Sequence, residues 1–342
     1  MLFLILSCLL FANSSMNVTS VAPPSYIHTN RIATRLEWNP NFGYCGEASF
    51  VSAGLFYGQY CSQYTARALA SPGVHQYENG SQLFVGINDQ TAAKAMHLNT
   101  IEWDTDDESD TNDFLVWVKQ CVLQGYPVIF GIFNNEYLLY GITDPNAGDK
   151  EYDHIVVANG ISSNYPLSDM GFFPDDTLYF SDNGLWDENP PFIFTYPFGS
   201  FEANRAQANA LSGPIYSLNN DASNFGIAVT GVTDPGGYTI PVRLDTNVND
   251  EIPEILEGSD TPPIPFTLTL TVTVTIPDQT KSYNLYRYND FSKVPNTHFN
   301  ANAANAYQTF LIPSGELASY ILTMDIQSNE IAAFRAVATT AP

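Results

Sequence analysis

The segment PFTLTLTVTVTIP sets Phe266, Leu268, Leu270, Val272, Val274 and Ile276 against threonines at 267, 269, 271, 273 and 275. A period of two in β-branched residues predicts a strand with one buried and one solvated face. Shorter runs at Phe225–Val232, Tyr238–Leu244, Tyr283–Tyr288, Gln308–Ile312, Tyr320–Ile326 and Ile331–Val337 predict further strands, parted by Gly, Pro, Asn and Asp. About seven short strands with turn signals predict an antiparallel β-sandwich over residues 225–342.

The pattern before residue 217 is different. After Cys45, the run GEASFVSAGLFYGQYC places Ala48, Val51, Leu55 and Phe56 on one helical face, with small residues around it. TNDFLVWVKQCVLQG predicts a second helix, opened by Thr111 and Asn112 and stopped by Gly125. PVIFGIF (127–133), HIVVANG (154–160) and DTLYFSDNG (176–184) predict buried strands ending in turns. The fold class is therefore α+β over residues 25–217 followed by an all-β unit, with the boundary at SLNNDASN (217–224).

The N-terminus, MLFLILSCLLFANSS, holds an apolar run too short to span a bilayer and followed by small polar residues. It predicts a secretory signal peptide over residues 1–16, with a buried strand as the alternative. No later run is long enough to cross a membrane. The expected location is extracellular, or the lumen of the endolysosomal system. Sequons at Asn13, Asn17 and Asn79 fit that route, and Asn79 is the candidate glycosylation site. Twelve basic against 36 acidic residues give a net charge of −24, which argues against nucleic acid and anionic membranes as partners.

Four cysteines are present, and loss of Cys8 with the signal leaves Cys45, Cys61 and Cys121, an odd number. One pair and one free thiol is the economical solution. Cys45 sits where a helix begins, and the partial positive charge there favours a thiolate; filling a core is the plainer role for a cysteine in an apolar run. His154, opening a strand in EYDHIVVANG, is the best-placed general base, and Asp182 at the end of the next predicted strand could orient it, as could Asn183. Asn39 lies six positions before Cys45 (45 − 39 = 6) and offers an amide to an oxyanion, or a turn before Pro40. DTDDESD (104–110) reads as a solvated acidic loop, with cation binding as the alternative, and DTNVNDE (245–251) has calcium-loop spacing but with the glycine and final glutamate of such a loop out of place. No zinc-ligand spacing or phosphate-binding glycine loop occurs, so no cofactor or metal is expected.

Together these residues resemble the papain-like cysteine peptidase superfamily, and within it the bacteriocin-processing endopeptidases and their C39-like relatives. The likeness spans Asn39 to Gly184, in the order Cys, His, Asp. It implies a papain-like domain with Cys45 as nucleophile, His154 as base, Asp182 as the orienting carboxylate and Asn39 as oxyanion donor. It also leaves Cys61 and Cys121 to form a disulfide. The family usually has Gln at the position of Asn39 and often Pro at that of Glu47. The expected activity is a secreted thiol amide hydrolase acting on a peptide or protein, with a ligand or protein partner for the sandwich. The rivals are a catalytically weak binding protein on the same fold, and a transpeptidase or amidase using the same triad.

Overall fold

The computed structural model describes residues 26–38, 43–103, 110–144, 151–184, 193–201, 209–219, 224–248, 258–315 and 317–342. Asn39, the apolar N-terminal run, Asn13, Asn17, residues 104–109 and residues 249–251 lie outside them.

The first part of the chain runs β1 (Tyr26–Thr29), α1 (Cys45–Phe56), β2 (Gln59–Tyr60), α2 (Gln63–Ala70), α3 (Asp89–Ala95), β3 (Leu98–Glu102) and α4 (Thr111–Leu123). It continues through β4 (Val128–Asn134), α5 (Glu136–Tyr140), β5 (His154–Ser163), β6 (Thr177–Ser181), β7 (Ile193–Pro197), β8 (Tyr216–Ser217) and β9 (Gly226–Val232). The longer strands form one antiparallel sheet in the order β3-β9-β4-β5-β6-β7, with β1 on the far half of β5 and β8 on the end of β4. Alternate residues of its centre enter different cores. Ile129, Ile155 and Val157 face the core that holds α1, while Val128, Phe130, Ile132, Val156 and Ala158 face the one that holds α4. Burial on both faces is why these strands read as unbroken apolar runs.

Helix α1 is buried from Gly46 to Phe56 on every side, so its small residues are contact points and not merely helix formers. A Cβ on Gly46 would stand 2.0 Å from the Leu83 carbonyl oxygen, so only glycine fits after Cys45. Helix α4 matches its expected span. The Asp110 side chain accepts from the Asp113 N–H at its start, and Gly125 follows its end with φ +88°.

The second part contains β10 (Thr239–Ile240), β11 (Val242–Thr246), β12 (Thr267–Thr275), β13 (Tyr283–Tyr288), β14 (Gln308–Ile312), β15 (Ser319–Gln327) and β16 (Ala332–Ala338). Two antiparallel sheets, β10-β16-β13-β14 and β11-β12-β15, enclose Leu268, Leu270, Val272 and Val274, the apolar side of the threonine-alternating strand. The protein is thus α+β, with helices packed on one sheet and two further sheets packed on each other.

Three findings correct the expected division at residues 217–224. Strand β9, expected to open the sandwich, lies between β3 and β4 of the first sheet. Strand β2 of the first part adds to β16 of the second. The core around α1 also runs without a break into the inner faces of β11, β12, β13 and β16. An alternating strand pattern specifies a buried face but not which sheet supplies its neighbours.

The Cys61–Cys121 disulfide is also corrected. No disulfide joins the described cysteines. Cys61 follows β2 in the core shared with α1, and Cys121 lies on α4 in the core on the opposite face of the first sheet. A bridge needs Cα atoms within about 7 Å, which an intervening sheet forbids.

Candidate active site

Cys45, His154 and Asp182 come from three elements and meet at one end of the first sheet. Cys45 is the first residue of α1, His154 the first of β5, and Asp182 follows the last residue of β6. Helix α1 packs along β5. Asn183 locks that arrangement, its side-chain N–H groups reaching the Cys45 carbonyl at 3.0 Å, the Ser49 Oγ at 3.0 Å and the Ile155 carbonyl at 3.2 Å. Asn183 is therefore a clamp between helix and strand, and the orienting role falls to Asp182.

The buried His154 donates from Nε2 to Asp182 Oδ1 at 2.9 Å. Asp182 is held in turn by the Tyr216 hydroxyl on Oδ2 at 2.6 Å and by the Gly184 N–H on Oδ1 at 3.0 Å. With Nε2 so engaged, Nδ1 is the nitrogen left for the half-buried Cys45 thiol, whose sulfur lies within 4.8 Å of an imidazole nitrogen. Burial works against a charged imidazole, but Asp182 and Cys45 outweigh it and hold His154 well above its usual range. Burial also opposes the Asp182 carboxylate, and His154, Tyr216 and Gly184 outweigh it, keeping Asp182 below the usual carboxylate range. Tyr216 is pushed up by burial and by the Asp182 charge, so it remains a donor.

The thiol departs from the expectation for a helix start. Burial pushes Cys45 up, His154 pulls it down, and the nearby carboxylates of Glu37 and Glu47 push it up again. Glu47 stands where the resembled family often has proline. Its carboxylate takes Arg67 Nε at 2.6 Å and the Leu83 N–H at 3.0 Å, and both charged side chains are all but fully buried. Arg67 also donates to the Gln76 carbonyl at 3.0 Å and lies over the Tyr44 ring at 3.5 Å. This anchor fixes the first turn of α1, which bears Cys45.

Sequence reasoning missed Glu37. Its N–H donates to the Asn183 carbonyl at 2.8 Å, and Gln63 grips both neighbours, donating to the Leu36 carbonyl at 2.8 Å and accepting from the Trp38 N–H at 2.9 Å. The Tyr44 backbone N–H favours the charged form of the Glu37 carboxylate. Burial pushes Glu37 above the usual carboxylate range, and the charge of Asp182 adds to that. Donor atoms of Glu37, Cys45 and His154 all lie within 4.8 Å of one another. The only sequence signal for Glu37 was its position in the window EWNPNFGYC before the cysteine, two residues from the amide of Asn39. Tyr216 carried no signal at all. Asn79 is exposed, at the start of a single 3₁₀ turn.

No family model, curated protein or solved structure matches the chain. The functional reading therefore rests on the site itself. Among the described residues, no helix is long and apolar enough to cross a membrane.

Proposed function

We propose that the chain is a papain-like thiol amide hydrolase, a peptidase in which Cys45, His154 and Asp182 form the reacting unit. One observation carries the reading. A half-buried thiol at the first residue of a buried helix lies within 4.8 Å of an imidazole nitrogen, and that imidazole is fixed by a buried carboxylate. In the reaction, Cys45 Sγ attacks the substrate carbonyl carbon as its proton passes to His154. The N–H groups at the start of α1, which have no partner within the helix, suit the oxyanion. His154 gives the proton to the leaving amine as the C–N bond breaks, leaving a thioester. Water, deprotonated by His154, then attacks the thioester and frees the acid and the thiol. If an amine replaces water at this step, the same unit acts as a transpeptidase.

A second reading, a catalytically weak binding protein on this fold, is favoured by the upward push of burial, Glu37 and Glu47 on the thiol. Turnover of fluorogenic peptides by wild type, abolished in Cys45→Ala and His154→Ala, supports the enzyme. Binding without turnover supports the rival. The N-terminal apolar run and the exposed Asn79 support passage through the secretory route with a glycan at Asn79. The sandwich is the surface proposed for recognition of a ligand or protein partner.

A further inference from the structure

Glu37 has no part in the reaction just described, and its charge works against a Cys45 thiolate. Yet its backbone is pinned from three sides and its side chain is brought to the nucleophile. A residue placed so deliberately against the chemistry of its neighbour has another use.

We propose that Glu37, Cys45 and His154 form a three-ligand site for zinc, with a fourth position open to water, and that occupation of this site blocks the nucleophile. The donor set is one thiolate, one imidazole and one carboxylate, each a zinc ligand, and three protein ligands with an open fourth position is the pattern of catalytic zinc sites. It is too soft for magnesium or calcium. Zinc bonds of about 2.0–2.3 Å put tetrahedral ligand atoms about 3.3–3.8 Å apart. Here the three atoms lie within 4.8 Å of one another, so closure needs side-chain shifts of roughly an ångström. Asp182 already accepts from His154 Nε2, the carboxylate–histidine arrangement that fixes a ligating ring and raises its basicity. Tyr216 fixes Asp182 in the same way.

Gly184 leaves room beside two of the three ligands. A Cβ there would stand 3.2 Å from Glu37 Oε1 and 3.1 Å from His154 Cε1. Cys45 and Glu37 are both half-buried, which gives an ion a way in. The sequence shows no zinc spacing because the ligands lie at 37, 45 and 154, brought together by a loop, a helix start and a strand start. Among the described residues, no second group of His, Cys, Asp and Glu meets this geometry.

Zinc binding stands independently of the hydrolase reading; the inhibition rests on it. The test uses the full chain stripped with a chelator. Cobalt(II), then zinc, is titrated in millimolar magnesium, which occupies weak surface carboxylates. The expected result is one tight site per chain, with a cobalt–thiolate charge-transfer band that zinc displaces. Cys45→Ser abolishes the band, Glu37→Gln weakens binding at least about 10-fold, and Asp182→Asn weakens it by about 10–100-fold through His154. Circular dichroism confirms that each variant is folded. Zinc also slows iodoacetamide labelling of Cys45 in wild type and much less in Glu37→Gln. Absence of a tight site, or affinity unchanged in Glu37→Gln, overturns the proposal. Peptide turnover insensitive to zinc overturns it while leaving the hydrolase intact. Tight zinc with no turnover by the stripped protein leaves the site and removes the hydrolase.

Discussion

Glu47→Ala tests how the helix that bears Cys45 is anchored. The change removes the carboxylate from Arg67, a guanidinium with no exposed surface, and takes the acceptor from the buried Leu83 N–H. Breaking a buried ion pair by deleting one partner costs about 3–5 kcal/mol, and an orphaned buried N–H about 1–3 kcal/mol. The two overlap, because Arg67 keeps its bond to the Gln76 carbonyl. We expect a loss of about 4 kcal/mol, a large share of the roughly 5–15 kcal/mol of a typical native protein. Glu47→Gln keeps an acceptor for Leu83 and loses less. Replacing both partners at once, Glu47→Leu with Arg67→Met, recovers most of the loss, since an apolar pair carries no desolvation cost. Urea unfolding followed by tryptophan fluorescence reads each value as a shift in midpoint at constant slope. A Glu47→Ala loss below about 1 kcal/mol, or a double variant as unstable as the sum of the singles, refutes the argument.

Three further outcomes follow from the same structure. His154 is held above 6.5 and Asp182 below 3.8. The stability gained from His154 is therefore fully present below pH 6.5 and fades as pH rises through its folded value, while that from Asp182 is present above pH 3.8 and fades on acidification; the destabilisation by His154→Phe, measured by denaturant melts, should peak between those limits and shrink on the alkaline side. Non-reducing peptide mapping should find no Cys61–Cys121 linkage, and Cys121, whose thiol is pushed up to about 12 by burial, should resist alkylation in the folded protein; a linked peptide as the main species contradicts the separate cores. A fragment ending at residue 232 should fail to fold cooperatively, since α1 and β11 share one core; a sharp melting transition of that fragment would restore the two-domain division.

What the sequence revealed follows from what a local pattern encodes. Alternation in β12 and the apolar runs of β4 and β5 are local, and these strands form as expected. The Cys, His, Asp order came from the family resemblance, and Cys45, His154 and Asp182 do meet, from a helix start, a strand start and a strand end. Helix α2 escaped notice because its buried stripe is Gln63, Ala66, Arg67 and Ala70, a helical spacing without an apolar face. Strand β2 is two residues long, too short for any period. Counting cysteines suggested a bridge, but parity carries no information about which side of a sheet each one occupies. Glu37 and Glu47 act through long-range contacts with Tyr44, Arg67 and Leu83, which no spacing announces.

The central claim is that Cys45 and His154 act as one unit, and the alkylation rate of Cys45 as a function of pH tests it most directly. The measurement uses iodoacetamide, mass-spectrometric readout at the Cys45 peptide and chelated protein. His154 pulls the thiol down while Glu37 pushes it up. The rate profile of His154→Ala should therefore move to higher pH than wild type, and that of Glu37→Gln to lower pH. Profiles that coincide in wild type and both variants would contradict the coupling, and with it the reading of Cys45 as a catalytic nucleophile.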